Sequence, residues 1–366
     1  MRKKTAAIIL TFLIINVIIT LGFIYGWFKP VSFEVEGKSF SASPLSFISK
    51  RQGDIELPLE QDTKKISPLS GVSCENYNRR AFAVMLASDN QTRPLSGLTE
   101  AEIIFEMPVV TGGITRLMAV YLCQIPEEIG SVRSARHDFI PLAMGLDAIF
   151  VHWGGSHFAL DILKGGIMDN INALSNSYGA FYRKKWIPKP HNGFTSRERL
   201  INSAAKLGYR LENQFKGYPF QNQKPKDKSQ KFNNNQKISL EIGYPYPYNV
   251  RYEYDPENNS YWRWRGGRKE IDKNTGKQIA AKNIVIMRAS SRQIEGQYND
   301  VDIEGAGECR VYNNGTFIQG TWKKEKSNKA SKLYFLNKKD EEIKFVPGQI
   351  WIEIIEPYQK VEWIKS

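Results

Sequence analysis

The hydrophobic pattern begins with an uncharged run from Thr5 to Phe28, which follows basic residues at positions 2 to 4. At about 1.5 Å of rise per residue, a helix of this length spans the roughly 30 Å hydrocarbon core of a bilayer. Because positive residues stay on the cytoplasmic side, residues 1–28 are predicted to be a membrane anchor with the rest of the chain outside the cytoplasm. The alternative is a cleaved signal peptide, although no small-residue cleavage pattern follows the run.

Residues 29–78 are polar and mix Ser, Pro, Lys and Glu, which predicts a membrane-proximal tether. In residues 79–220, apolar runs typical of buried strands, such as RAFAVMLAS, alternate with segments of helical period, such as SARHDFIPLAMGLD. This alternation predicts a mixed α/β domain.

Residues 221–238 are polar and without period, which predicts a linker or an exposed insertion. Residues 239–366 hold short segments of alternating polarity separated by turn signals, so a β-rich second domain is expected. The predicted fold class is therefore α+β. It consists of a mixed α/β sheet domain followed by a β-rich domain, preceded by a single N-terminal transmembrane helix.

The formal net charge of +13 attracts an acidic partner before any specific contact forms. Outside the cytoplasm such partners are anionic lipids and phosphate-rich wall polymers, so nucleic acid is not predicted as a partner. The three cysteines, Cys74, Cys123 and Cys309, form no C-x-x-C motif. One disulfide between two of them suits an oxidising compartment, and the sequence does not choose the pair.

Arginines are the first candidates for chemistry. Arg116 follows a glycine-rich turn, and Arg133 and Arg136 are three residues apart, which places them on one face if a helix has already begun there. Guanidinium groups present planar donor forks that suit carboxylate or phosphate, so the three predict an anion site. The alternative is a set of ordinary salt bridges with nearby acidic residues.

Histidines are the second candidates. His152 ends an apolar strand and precedes Gly154 and Gly155, which leave room for a ligand, and His191 lies in a loop before a predicted helix. Ser156 is a candidate nucleophile beside either histidine, although HWGGS is not the G-x-S-x-G elbow of the α/β-hydrolases. Both histidines could instead be satisfied by backbone groups.

Metal and cofactor sites are not predicted. His157 and Asp161 have the spacing of a ligand pair, but two ligands are too few for a metal centre. The aromatic segment YPYPYNVRYEYDPENNSYWRWRGG could present a platform for sugar rings or for a protein partner. The alternative is that its aromatic residues fill a half-buried sheet.

The motifs RPLSGLTEAEIIFE, GGITRLMAVY, IGSVRSAR, AIFVHWGGS and PHNGFTS, with VDIEGAGECRVYNNGTFIQGTWKK and PGQIWIEI downstream, resemble the YerB-like family of bacterial envelope proteins. The resemblance runs in order from Ala81 to Pro357. It implies an N-terminal mixed α/β domain, a β-rich C-terminal domain and a location outside the membrane, in a family found chiefly in Gram-positive bacteria and without an established activity. Many members are lipoproteins anchored through a cysteine, whereas no cysteine precedes Cys74 here. The residues that match the polar signature are Arg116, Arg133, Arg136, His152, Ser156, His191, Asn192, Thr195, Asp302, Trp322 and Lys323.

These observations predict a membrane-anchored extracytoplasmic protein that holds an anionic envelope ligand, such as a muropeptide carboxylate or a polymer phosphate, in an Arg/His cleft. Two alternatives stay open. One is a wall hydrolase or transferase with His152 or His191 as general base, and the other is a docking module for another membrane protein. The predicted ligand-binding residues are Arg116, Arg133, Arg136, His152, Gly154, Gly155, His191, Asn192 and Thr195.

Overall fold

The structure is a computed structural model, and it describes residues 31–35, 38–42, 65–111, 113–222, 237–296 and 298–366. The chain divides into two units, Met1–Thr63 and Lys64–Ser366. In the first unit, β1 (Val31–Val35) pairs antiparallel with β2 (Lys38–Ala42), within the segment expected to be a tether. The apolar run from Thr5 to Phe28 lies outside the described residues.

A ten-stranded sheet organises the second unit, and its order is β21-β20-β19-β16-β22-β4-β5-β3-β7-β8. The first half of the chain contributes β3 (Phe82–Leu86), β4 (Ile103–Pro108), β5 (Thr115–Tyr121), β7 (Ile149–His152) and β8 (Asn170–Asn172). The second half contributes β16 (Asn283–Arg288), β19 (Gly305–Asn313), β20 (Thr316–Lys324), β21 (Tyr334–Leu336) and β22 (Ile350–Ile355).

Strand β22 lies in the middle of this sheet. It pairs in parallel with β4 on one side, where Ile350 is opposite Ile103, and with β16 on the other, where Ile350 is opposite Asn283. A strand near the end of the sequence therefore joins the two predicted domains into one sheet.

Smaller sheets flank the large one. A three-stranded sheet joins β6 (Ile129–Gly130), β10 (Gly193–Thr195) and β9 (Tyr182–Arg183), and a hairpin joins β17 (Ser291–Glu295) and β18 (Tyr298–Val301). A six-stranded sheet holds β11 (Ile238–Ile242), β12 (Val250–Asp255), β13 (Ser260–Arg265), β14 (Arg268–Lys269), β15 (Ala280–Ala281) and β23 (Val361–Lys365).

The helices of the described chain are short: α1 (Phe139–Met144), α2 (His157–Lys164), α3 (Arg197–Lys206) and a 3₁₀ turn (Asn90–Thr92). The predicted α+β fold class is therefore wrong, because the structure is mostly β, with 40% strand and 9% helix. The predicted transmembrane helix falls on residues that the structure does not describe. None of the helices in the described residues is long and apolar enough to cross a bilayer.

The segment SARHDFIPLAMGLD explains part of this error. The chain runs extended into this segment, because the N–H of Arg133, just before it, donates to the carbonyl of Met85 (2.9 Å) and the N–H of Ala135, within it, donates to the carbonyl of Gly154 (2.9 Å). Helix α1 begins only at Phe139 and ends at Met144, with Gly145 as its C-cap. Tertiary hydrogen bonds thus override the helical period, and Arg133 and Arg136 do not share a helix face.

Both faces of the large sheet are buried, which is why its central strands have near-continuous apolar runs. Alternate residues form two cores: Met85, Phe105, Met118 and Ile352 face α1 and α2, whereas Val84, Ile104, Ala119 and Trp351 face the six-stranded sheet. Near the start of the unit, Cys74 forms a disulfide with Cys123, and Cys309 is a buried free thiol.

Candidate functional site

Arg116 is the most deeply buried of the three candidate arginines. It lies in β5 opposite Met107 of β4 and is only 4% exposed. Its Nε and Nη1 are buried and meet no hydrogen-bond acceptor among the described residues. Burial, together with the charges of Arg133 and Arg136, lowers the pKa of the Arg116 guanidinium to about 9. Unused donors on a buried cation cost free energy, so an acceptor that reached these nitrogens would stabilise the side chain.

Arg133 lies in the segment after β6 and is fixed by the ends of two strands. Its N–H donates to Met85 of β3, and its carbonyl accepts from the N–H of Trp153 (3.0 Å) just after β7. Its Nη1 is 3.2 Å from Oδ2 of Asp89 and 2.9 Å from Nδ1 of His191. The backbone is thus rigid while the guanidinium faces one carboxylate and one imidazole.

Arg136 completes the arginine cluster, by which we mean Arg116, Arg133 and Arg136. Its Nη1 donates to the carbonyl of Ala135 (3.0 Å), and its guanidinium lies 5.6 Å from the ring centre of Tyr298. Its buried Nε has no acceptor among the residues that the structure describes. Burial lowers the pKa of Arg136 as well. The structure therefore brings the three predicted arginines into one electrostatic environment.

His191 joins this cluster through Arg133. Because a guanidinium can only donate, Nδ1 of His191 accepts and Nε2 carries the proton. Desolvation, followed by the charge of Arg133, lowers the pKa of His191, so the ring is neutral at pH 7. It can therefore donate one hydrogen bond from Nε2 to an acidic ligand.

Asn192 and Thr195 hold the His191 loop in place. The side-chain oxygen of Asn192 accepts from Nη1 of Arg183 (2.5 Å), and the hydroxyl of Thr195 donates to the carbonyl of Ala180 (2.7 Å). Both residues are buried. Their contacts position the loop and do not reach the arginine cluster.

His152, predicted to line the same cleft, is buried instead within the end of the sheet. Its Nδ1 is 2.7 Å from the carbonyl oxygen of Gly154, and its Nε2 is 3.2 Å from the side-chain amide of Asn170. Desolvation lowers the pKa of His152. A neutral ring carries one N–H, and donation from Nδ1 to the carbonyl of Gly154 secures the turn after β7.

The residues that follow His152 also shape this turn. Gly154 has a φ of 65°, which favours glycine, and its N–H donates to the side chain of Asn172 (3.0 Å). Gly155 pairs with Ala135, and a Cβ on it would come within 3.2 Å of the Ala135 Cβ. The Ser156 hydroxyl accepts from the N–H of Ala159 (3.2 Å) and caps α2, so it serves as an N-cap.

The remaining candidates make contacts of their own. His157 pairs with Glu295 (3.0 Å), and Asp161 pairs with Lys164 (3.2 Å). The downstream signature residues likewise have partners in the described chain: Asp302 with Lys326 (3.6 Å), the Trp322 indole with the carbonyl of Arg288 (2.8 Å), and Lys323 with Asp340 (2.7 Å).

A second polar group was not predicted from the sequence. Nε2 of His137 is 3.3 Å from Oδ1 of Asp138 and 3.3 Å from Oδ1 of Asp300. Burial raises the pKa of Asp138 to about 8. The adjacent His-Asp pair was a visible signal in the sequence, but Asp300 comes from a distant hairpin that no local pattern connects to it.

A third group, here called the buried ion network, lies between the large sheet and the six-stranded sheet. Arg263 binds Glu106 (2.5 Å), Glu270 (2.6 Å) and Glu353 (2.5 Å), and Arg265 binds Glu106 and Glu270. Burial opposes the charge of Glu270, yet the two arginines lower its pKa to about 2. The acidic partners are on β4, on β22 and just after β14, so the network links strands from both halves of the chain.

Comparison with known proteins agrees with this architecture. A family model described as the N-terminal domain of a protein of unknown function, DUF3048, matches residues 69–210, and the model of its C-terminal domain matches residues 240–352. The relative named "Putative lipoprotein YerB", from Bacillus subtilis strain 168, is 33% identical over 294 residues, which cover 79% of this chain and 86% of the relative.

A solved structure is similar over nearly its whole length. The crystal structure of the YerB protein from Bacillus subtilis aligns with a TM-score of 0.71 at 31% identity, covering 81% of this chain and 99% of that chain. The resemblance drawn from the sequence motifs is thereby confirmed. With both domain models matched and a relative above 30% identity, the chain belongs to the YerB-like DUF3048 family, whose function is unknown.

Proposed function

We propose that this protein binds an anionic ligand of the cell envelope at the arginine cluster, outside the cytoplasm. The ligand class is a carboxylate or phosphate borne by a wall polymer or a muropeptide. Arg116, Arg133 and Arg136 supply the charge, and Nε2 of His191 supplies one directional donor.

One observation carries this proposal: Arg116 is buried with two donor nitrogens that meet no acceptor among the described residues. Leaving such a group unpaired costs about 1–3 kcal/mol, and more when it is charged. A bound oxyanion accepts from those nitrogens and removes the cost. This gives the ligand a large share of its binding free energy at a single side chain.

The charge balance of the cluster also supports an anion. The charged groups that act on Arg116 are the cations Arg133 and Arg136 and the carboxylate of Asp89. Asp89 already pairs with Arg133 (3.2 Å), so it offsets one of three positive charges. The excess positive charge attracts an anion, and a planar fork from each guanidinium can bind two of its oxygens.

Two findings support a location outside the cytoplasm. The Cys74–Cys123 disulfide is typical of an oxidising compartment. The Bacillus subtilis relative carries the name of a lipoprotein, which suggests attachment to a membrane of the envelope. The excess of basic residues then faces anionic lipid and polymer.

The alternative activities have less support. A general-base role for His152 conflicts with the complete burial of its ring beside Gly154 and Asn170, and Ser156 caps a helix. A docking platform on the aromatic segment is weakened because Tyr252 and Tyr261 are buried in the core. We therefore propose binding and assign no catalytic step.

The test uses the full chain, purified in detergent. Binding to purified wall polymer is measured by co-sedimentation and binding to inorganic phosphate by calorimetry, for the wild type and for Arg133→Gln and Arg136→Gln. Each variant is expected to bind at least about tenfold more weakly, since a charge-assisted hydrogen bond contributes roughly 1.5–3 kcal/mol. Affinity should also fall as salt rises.

Arg197→Gln is the matched control, because Arg197 is exposed and pairs with Glu127 on the surface. It should bind like the wild type. Equal loss in all three variants would mean that bulk charge, and not the arginine cluster, drives association. Unchanged binding in both cluster variants would refute the site.

A further inference from the structure

The His137–Asp138–Asp300 group lines a cavity of about 590 Å³ between the start of α1 and the β17–β18 hairpin. No member of the arginine cluster lines this cavity, although Arg136 immediately precedes His137 in the chain. Its walls also include Ser290, Arg292 and Asp302. The group therefore faces a space that is large enough for a ligand and for water.

The geometry of the three side chains suits a shared cation. One ligand atom from each residue lies within 4.8 Å of the others. A cation at about 2.0–2.2 Å from imidazole nitrogen and carboxylate oxygen requires ligand atoms roughly 3–4 Å apart. The measured 3.3 Å separations between His137 and each carboxylate fall in that range.

An unpaired buried oxygen points to the same conclusion. Asp138 is only 4% exposed, and its Oδ2 has no donor among the residues that the structure describes. Its Oδ1 accepts from the N–H of Val301 (3.2 Å), which fixes the carboxyl group in the cavity wall. A carboxyl group held in this way offers an oxygen that a cation can bind.

Neighbouring groups orient the other carboxylate. Nε and Nη2 of Arg292 lie 3.0 and 2.9 Å from Oδ2 of Asp300, which leaves Oδ1 directed at His137. Such outer contacts are typical of metal ligands because they fix the orientation of the donor atom. The positive charges of Arg136 and Lys329 act on His137 and oppose a cation, so a moderate affinity is expected.

We infer that His137, Asp138 and Asp300 form a binding site for a divalent transition cation, of the class of Zn²⁺ or Mn²⁺. One imidazole and two carboxylates are a mixed donor set that such ions accept, whereas Mg²⁺ and Ca²⁺ prefer oxygen alone. Three protein ligands beside an open cavity leave further coordination positions to water or to an acidic ligand. This departs from the expectation of no metal, which considered only His157 and Asp161.

The experiment uses the full chain in detergent, stripped with EDTA and dialysed into metal-free buffer. ZnCl₂ and MnCl₂ are titrated by calorimetry, and bound metal is counted by mass spectrometry. The wild type is expected to take up one equivalent of at least one of the two ions. Asp138→Asn and Asp300→Asn should each weaken binding at least about tenfold, because each removes a ligand charge.

Asp161→Asn is the matched control, since Asp161 is an exposed aspartate outside the group, and it should bind like the wild type. Circular dichroism checks that every variant is folded. If a variant fails to fold, the visible spectrum of the wild type with Co²⁺, and its loss on adding Zn²⁺, provides the test without substitution. Absence of a saturable equivalent in the wild type, or equal affinity in both folded variants, overturns the site.

Discussion

Arg116 and Arg263 are the same residue type, and both are almost wholly removed from solvent, yet their surroundings are opposite. Arg263 is surrounded by Glu106, Glu270 and Glu353, each within hydrogen-bond distance. Arg116 has two buried nitrogens without an acceptor among the described residues, and other arginines are its strongest charged neighbours.

The two environments move the pKa in opposite directions. Burial alone lowers the pKa of Arg263, but Tyr252 and the surrounding carboxylates raise it well above the ordinary value. Burial and like charge lower that of Arg116 to about 9. The first arginine has its counter-charges in direct contact within the protein, whereas the second is buried mainly among like charges. The paired arginine therefore stabilises the fold, and the unpaired one is the residue to which we assign anion binding.

The largest effect should follow from removing one carboxylate of the buried ion network. Glu106→Gln removes a buried carboxylate that both Arg263 and Arg265 bind. The free energy of unfolding should fall by about 3–5 kcal/mol, because a buried charge loses its partner. Urea unfolding followed by circular dichroism measures this. Glu127→Gln, an exposed carboxylate paired with Arg197, should change it by less than about 1 kcal/mol.

Removing Arg116 should change the free energy of unfolding in the opposite direction. Arg116→Met keeps a long side chain and deletes the buried charge, so we expect the free energy of unfolding to rise by about 1–3 kcal/mol. Phosphate binding should be lost in the same variant. Urea unfolding tests the predicted gain in stability, and calorimetry tests the predicted loss of phosphate binding. If Arg116→Met is less stable than the wild type, Arg116 stabilises the fold as Arg263 does.

An added anion should raise the free energy of unfolding only through its binding at Arg116. At a phosphate concentration of ten times Kd, linkage predicts about 1.4 kcal/mol of added stability for the wild type. Arg116→Met should show no such increase, whereas Glu106→Gln, although less stable, should keep it. The measurement is the phosphate dependence of the urea midpoint at constant ionic strength.

The smallest effect concerns pH. Desolvation and Arg133 lower the pKa of His191 in the free protein, and a bound anion raises it again. Binding therefore takes up a proton as pH falls below about 6.5, and affinity should increase by at most about 1.4 kcal/mol per unit of pKa change. Sulfate, which does not titrate in this range, is the probe. His191→Gln should flatten the profile, and a wild-type affinity that falls with acidification would contradict the assignment.

Local patterns predicted part of the first half of the chain. The run RAFAVMLAS, predicted to be a buried strand, contains β3. That prediction is confirmed because an apolar run acts within a few neighbours. The family motifs also grouped the three arginines that lie together in the structure. Their role in binding stays a proposal.

The contacts that the sequence did not predict join residues that are far apart in the chain. The period of AEIIFEMP does not reveal that Glu106 meets Arg263 across two sheets, since that contact depends on strand order. His152 was a candidate because it ends a strand before two glycines, and His191 was a candidate because it lies in a loop before a predicted helix. The two rings differ in their partners, which are Asn170 for His152 and Arg133 for His191. Tertiary structure brings each partner into contact with its ring.

The central position of β22 has a consequence for biogenesis. Its residues, Ile350–Ile355, leave the ribosome and any export channel after nearly all of the chain, yet they fill the gap between β4 and β16. The edges of both strands stay open until then, and open edges invite aggregation. The edge of β4, which precedes β16 in the chain, would therefore need protection for longest, and a chain that stopped before β22 would leave both edges unpaired.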